Sequence, residues 1–195
     1  RFADDLSAPR MLHGFVLRSP HAHARILHID AACALKLKGV RAVLTAAELE
    51  HDGVRPVPTY TRLPNSSFPN RGGPLPDPPY YPLARGKVRF AGEPVAFVVA
   101  ETRSQAQDAA ERIAVDYDEL PPVADAEAAL APGAAKLWDD LADNLCFDTE
   151  HGDAAATDAA FAAAAHVVRV RHVNNRLIVH YMEPRAALGE YDAAS

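Results

Sequence analysis

KVRFAGEPVAFVVAETRSQAQDAAERIAVDYDEL, residues Lys87 to Leu120, decides how the fold is read. Val88 to Phe90 reads as a short strand running into the tight turn Gly92-Glu93-Pro94. Val95 to Ala100 is an unbroken apolar run of strand length, the pattern of a strand covered on both faces. Thr102 and Gln105 have capping-box spacing and open a helix. Ala106, Ala109, Ala110 and Ile113 then follow at i, i+3, i+4 and i+7, which places them on one apolar stripe. On the polar side, Asp108 and Arg112 have the spacing of a helical ion pair. Ile113, Val115 and Tyr117 alternate as in a half-buried strand, and Pro121-Pro122 ends the unit.

Upstream, Met11 to Arg18 reads as a strand, with Gly14 a point of close backbone approach. Ser19-Pro20 breaks it, and Arg25 to Ile29 resumes as a second strand. Asp30 can cap a short helix from Ala31 to Leu37, with Gly39 at its left-handed exit. Val40 to Leu44 is a third strand, and Thr45-x-x-Glu48 is a second capping box. Residues 51–86 hold nine of the sixteen prolines, too many for regular structure. This Pro-rich loop either covers something or is a surface insertion. Downstream, 121–151 reads as a linker with a helical turn at Asp125–Leu130 and Trp138 as its anchor. A short helix at Asp158–Ala165 and strands at Val167–Val173, Leu177–Tyr181 and Ala186–Tyr191 follow. These patterns alone read as an α/β module of strands and short helices. At 195 residues the chain holds one large domain, or one domain plus part of another.

Composition narrows the function classes. The 195 residues are 49% hydrophobic and 24% charged, as in a folded soluble domain. No apolar run is long enough for a membrane span. RFADDLSAPRM has no basic region followed by an apolar core, so no signal peptide is expected, and without Met it suggests a processed or excised segment. Cys33 and Cys146 share no motif, so neither a disulfide nor a zinc site is indicated. Two small buried thiols in a reducing, cytoplasmic setting are the expectation. Residues 1–92 carry 13 Lys/Arg against 7 Asp/Glu, whereas 93–195 carry 7 against 19. Either a basic half faces an anionic cofactor or acidic partner, or two modules differ in composition. The basic residues do not interleave with aromatics along one element, so nucleic-acid binding is not supported.

The residue types that carry chemistry are sparse. His21 and His23 lie on one side of an extended segment, but they lack a third ligand, even with His13 and His28 nearby. Hydrogen-bonded or interface histidines are the default for them. Asp4-Asp5 and Asp139, Asp140 and Asp143 read as solvated faces. Glu93 is either a functional carboxylate or a plain turn residue. Glycine-rich phosphate loops and nucleophile elbows are missing from the sequence. No catalytic, cofactor-binding or metal residue is therefore assigned.

Several stretches together resemble one family. FADDL (2–6), PRMLHGFVLRSPHAHARILHID (9–30), GVRAVLTAAEL (39–49) and KVRFAGEPVAFVVAETRSQAQDAAERIAVDYDELPPV (87–123) resemble an α/β hammerhead domain. That domain opens the large molybdenum subunit of xanthine dehydrogenases and aldehyde oxidases. The resemblance therefore implies an α+β fold of mixed sheets and short helices over residues 1–120, a linker at 121–151 and an incomplete further domain at 152–195. NLCF (144–147), HGD (151–153) and DAAFAAAAHVVRVRHVNNRLIVHYMEPRAALGEYD (158–192) are similar to the start of the molybdopterin-binding domain. This last run looks most like the carbon monoxide dehydrogenase large chains. The resemblance implies a subunit that binds molybdopterin cytosine dinucleotide, beside a medium subunit carrying FAD and a small subunit carrying two [2Fe–2S] clusters. The implied reaction is oxidative hydroxylation of an aldehyde or N-heterocycle, or CO oxidation, with electrons passing through the clusters to FAD. Glu183, in Met182-Glu183-Pro184-Arg185, matches a motif near the substrate channel. The cofactor loops and catalytic glutamate lie outside these residues. Two functions follow: the front part of such a subunit, serving as a packing and subunit-contact module, or a free-standing scaffold without activity.

Overall fold

The computed structural model describes residues 2, 5–58, 75–175, 177–178, 180–183 and 185–192. Contacts divide the chain into two compact units, Leu12–Glu150 and Arg1–Met11 with His151–Ser195. The larger unit runs β1 (His13–Arg18), β2 (Ala24–Asp30), α1 (Ala32–Leu35), β3 (Val40–Leu44), α2 (Ala46–His51), β4 (Lys87–Val88), β5 (Pro94–Ala100), α3 (Arg103–Ala110), β6 (Ala114–Glu119) and α4 (Ala126–Ala129). Two three-stranded sheets result, ordered β1-β5-β3 and β4-β2-β6. Every pairing described is antiparallel, which corrects the mixed sheets expected from sequence. The strand–helix–strand run β5–α3–β6 invites a parallel crossover, but its two strands join different sheets.

β5 is the central strand of the first sheet, which explains its continuous apolar run. Val95, Ala96, Val98 and Ala100 are all buried. The α3 stripe lies on it as expected. Ala106, Ala109, Ala110 and Ile113 form one core with Ala34, Val43, Ala96, Val98 and Ala100. Alanines on the helix face let the backbone sit close to the sheet, and close packing makes any added volume costly. A second core gathers Ala24, Ala84, Val88 and Val95, and Ile29 and Val115 pack against both.

Local chemistry sets the element ends. Thr45 and Glu48 make the complete capping box, with the Glu48 carboxylate 2.7 Å from the Thr45 N–H. At α3 the Thr102 hydroxyl accepts from Gln105 N–H, but the Gln105 side chain takes the Thr102 hydroxyl proton and leaves the cap N–H alone. Asp30 accepts from Ala32 N–H at 2.8 Å, starting α1 one residue later than expected. Asp108 and Arg112 are not among the ion pairs of the described residues; Gln107 reaches Glu111 instead. In β2 the register shifts between Ile26 and His28, so Leu27 is the extra residue of a bulge. That bulge lets Ile26 and Ile29, three apart, both pack inward. Phe97 lies across Gly14, where a Cβ would stand 2.3 Å from its Cζ.

The second unit differs more from expectation. Its helix is Ala154–Ala163, not 158–165, because Asp153 caps it by accepting from Ala156 N–H at 2.9 Å. Residues 167–173 have the alternation of a strand but form none, and among the described residues of 177–191 no strand forms either. Alternation records a preference for a half-buried ladder, and without a neighbouring strand there is no ladder to join. Val168 is 83% exposed and Ile178 80% exposed.

Candidate functional site

The two most distinctive stretches meet at one corner. Ser19 N–H donates to Glu93 O at 2.9 Å, and Gly92 N–H donates back to Ser19 O at 2.8 Å. The Arg18 guanidinium closes on Gly92 O at 2.8 Å. Gly92 adopts φ +88°, a left-handed conformation that glycine takes without a Cβ penalty. The Glu93 carboxylate turns back to accept the Arg89 N–H. This hydrogen bond takes the donor that would extend β4, so the strand ends at Val88 instead of Phe90.

Beside this corner lies a cleft of about 380 Å³, walled by Pro79, Tyr81, Arg85, Arg89, Glu93 and Trp138 among others. The Arg89 guanidinium stacks on Trp138 at 3.7 Å and donates to Leu137 O and Lys87 O at 3.0 and 3.1 Å. The Arg85 guanidinium lies 3.5 Å from the centre of the Tyr81 ring. Such stacking is a recurrent use of arginine. Burial pushes the Glu93 carboxyl above its ordinary range, against the Arg89 N–H and the Arg89 charge. Burial also pushes Arg89 down, opposed by Glu93 and Asp139. The hydrogen bond from buried Lys87, 2.8 Å away, holds Asp139 below the usual carboxylate range.

The other candidates make contacts of their own. His23 is buried and its Nδ1 lies 2.8 Å from Pro121 O. A carbonyl only accepts, so Nδ1 carries a proton, and Nε2 is buried without a partner among the described residues. His21 stands 3.5 Å from Glu119 and against the Tyr117 ring. Each imidazole faces its own neighbours, and among the described residues no three His, Cys, Asp or Glu side chains cluster as a metal would need. Asp5 accepts from Phe2 N–H, whereas Asp4 lies outside the described residues. Asp139 and Asp143 are exposed, and each also has a partner, Lys87 and the Leu145 N–H. Cys33 and Cys146 are both exposed, which corrects the buried thiols expected. Glu183 is exposed in the second unit. Sequence reading missed the arginine–aromatic pairs; the lone tryptophan was the signal for one of them.

The hammerhead domain model of aldehyde oxidases and xanthine dehydrogenases matches residues 1–121. The chain belongs to that family. Relatives of the family extend the likeness over nearly the whole chain. The 6-hydroxypseudooxynicotine dehydrogenase complex subunit gamma of Paenarthrobacter nicotinovorans is 37% identical over 194 residues, 99% of this chain and 23% of that protein. The carbon monoxide dehydrogenase large chain of Afipia carboxidovorans is 39% identical over 175 residues, 84% of this chain and 20% of that one. Among solved structures, quinoline 2-oxidoreductase from Pseudomonas putida 86 superposes with TM-score 0.72 at 39% identity, covering 87% of this chain and 20% of its own. The chain thus spans about a fifth of the length of these family members.

Family membership raises the question of whether the cleft fits a molybdopterin cofactor. It does not. Asp77, Asp139, Asp140 and Glu93 outnumber Arg85 and Arg89 in its lining, a poor balance for a dinucleotide's phosphates. Arg89 is already committed to Trp138 and two carbonyls. No chemical step is derived through the cofactor for these residues.

Proposed function

We propose that this chain is the N-terminal portion of the large subunit of a molybdenum hydroxylase, and that it supplies packing and subunit contacts to an active site built elsewhere in that subunit. One observation carries the reading: 194 residues align at 37% identity with a complex subunit of which they make up 23%. Residues 1–120 are the hammerhead domain, 121–151 a linker, and 152–195 the start of the molybdopterin-binding domain. The exposed apolar side chains of the second unit support this: Val168, Val170, Leu177, Ile178 and Met182 suit strands that pair with further chain. The same exposure disfavours a free-standing scaffold, which would keep such a surface covered.

In the complete enzyme the reaction is oxidative hydroxylation of an aldehyde or N-heterocycle, or CO oxidation. Molybdopterin cytosine dinucleotide sits in the remainder of the large subunit, and FAD and [2Fe–2S] clusters sit on the medium and small subunits. No helix among the described residues is long and apolar enough to cross a membrane, and we place the enzyme in the cytoplasm. The test is to co-express the chain with the flavin and iron–sulfur subunits of its own complex and recover it by affinity capture. Retention of at least one partner subunit is expected. Recovery of the chain free of both, as a stable monomer, would overturn the subunit-contact role.

A further inference from the structure

Residues 135–144 bind mostly to themselves. The Asn144 side chain accepts from Leu137 N–H at 3.0 Å and donates to Ala129 O and Ala135 O, each at 3.0 Å. Lys136 Nζ donates to Asp139 O and Leu141 O, each at 2.8 Å. Leu141 N–H returns to Trp138 O at 3.2 Å. The loop is therefore closed on itself by these bonds, with Ala129 O their one partner outside it. It adds no residue to either hydrophobic core, and none of its residues is fully buried. Segments with few buried apolar contacts are the ones that open at low cost while the core stays intact.

The loop's recorded fastenings to the sheets fall within three consecutive residues. Lys87 Nζ holds Asp139 at 2.8 Å, Arg89 Nε donates to Leu137 O at 3.0 Å, and the Arg89 guanidinium covers Trp138. Lys87 belongs to the two-residue edge strand β4, and its side chain is only 6% exposed, whereas that of Asp139 is 60% exposed. An ammonium that far from water holds its carboxylate partner more firmly than a surface lysine does, because solvent screens it less. Trp138, Asp139, Asp140 and Leu141 line the cleft together with Arg89 and Glu93.

We infer that residues 135–144 are a strap over the Arg89–Glu93 side of the cleft that opens by breaking its own hydrogen bonds, independently of the two sheets, with buried Lys87 as its latch. Closed, the strap shields the Glu93 carboxyl and holds Arg89 against Trp138. Open, it offers the cleft a carboxyl and a guanidinium side by side.

The strap makes the only tryptophan in the chain a direct reporter. The experiment compares the 195-residue protein with Lys87→Met, which keeps the unbranched stem, one atom shorter, and removes its charge. Hydrogen exchange is followed at Leu137 and Leu141 in the strap and across β5, alongside Trp138 emission. The expected result is strap exchange faster by about tenfold or more, red-shifted emission, and unchanged β5 exchange. Equal acceleration of strap and β5 would overturn the proposal, since the strap would then be part of the cooperative core. Unchanged strap exchange would overturn Lys87 as the latch. If Lys87→Met does not fold, Asp139→Ala cuts the same latch from its exposed side. The same separation of strap from β5 is then expected, and its absence would be equally decisive.

Discussion

Ala109→Asp places a carboxyl at a fully buried position of α3, against the Ala96, Val98 and Ala100 face of β5. Three costs can be worked out. Keeping an aspartate neutral at pH 7, about three units above its ordinary pKa, costs about 4 kcal/mol. The neutral acid still lacks partners among alanines and valines, which adds about 1–3 kcal/mol. Three extra heavy atoms in a close-packed site add about 1–3 kcal/mol more. The total, about 6–10 kcal/mol, is of the same size as the about 5–15 kcal/mol that holds a typical domain. Urea denaturation followed by far-UV circular dichroism should show no cooperative transition for this variant. Tryptophan emission is unsuitable here, because Trp138 sits in the strap. Ala109→Gly is the control: losing helix propensity costs about 1 kcal/mol and losing a buried methyl about 0.8 kcal/mol, so it should fold with a lowered midpoint. An Ala109→Asp protein that unfolds cooperatively at or above the Ala109→Gly midpoint would refute the packing of α3 on β5.

Other positions give narrower expectations. Glu93→Gln should stay folded, since the amide oxygen can still accept the Arg89 N–H. The folded-state pKa of Glu93 is raised, so its contribution is complete below the ordinary carboxylate range and falls away as pH rises through the raised value. Thermal melts should therefore show the variant gaining on wild type between acid and neutral pH, and a constant difference across that range would contradict the burial of Glu93. Thr45→Ala removes the α2 cap and should cost about 0.5–2 kcal/mol by urea denaturation. Glu48 has the opposite sign, because the hydrogen bonds from Thr45 hold its pKa down. Its contribution is present above the ordinary carboxylate range and is lost as pH falls through the lowered value, a dependence that Thr45→Ala should weaken. Gly14→Val drives side-chain atoms into Phe97 and should cost about 1–3 kcal/mol. Phe97→Leu in the same chain should recover part of that loss, and strictly additive effects would show that the ring does not lie over Gly14.

What could be read from sequence followed local periodicity. The run Val95 to Ala100, the stripe ending at Ile113 and the box at Thr45 are each decided by neighbours within a few positions, and each stands in the structure as read. The bulge at Leu27 was also encoded, since Ile26 and Ile29 cannot both face inward along a regular strand. Strand direction was not encoded, because α3 connects β5 to a strand in a different sheet. The cleft was harder still. Arg89 meets Leu137 across 48 positions, and no local pattern says which arginine will lie on the lone tryptophan. Glu93 had two readings from sequence, and the structure shows it shaping its turn and lining the cleft together. The downstream strands show the converse limit: VVRVRHV alternates correctly, but alternation cannot supply the neighbour that a ladder needs.

The central claim is that this chain holds hammerhead packing and subunit contacts while the molybdenum chemistry lies elsewhere in the enzyme. Quantifying molybdenum and molybdopterin in the chain, purified without chelator from a host that makes the cofactor, tests this most directly. The account predicts protein that is folded by circular dichroism and carries no stoichiometric molybdenum or molybdopterin. One molybdenum per chain, retained through gel filtration together with molybdopterin, would contradict it.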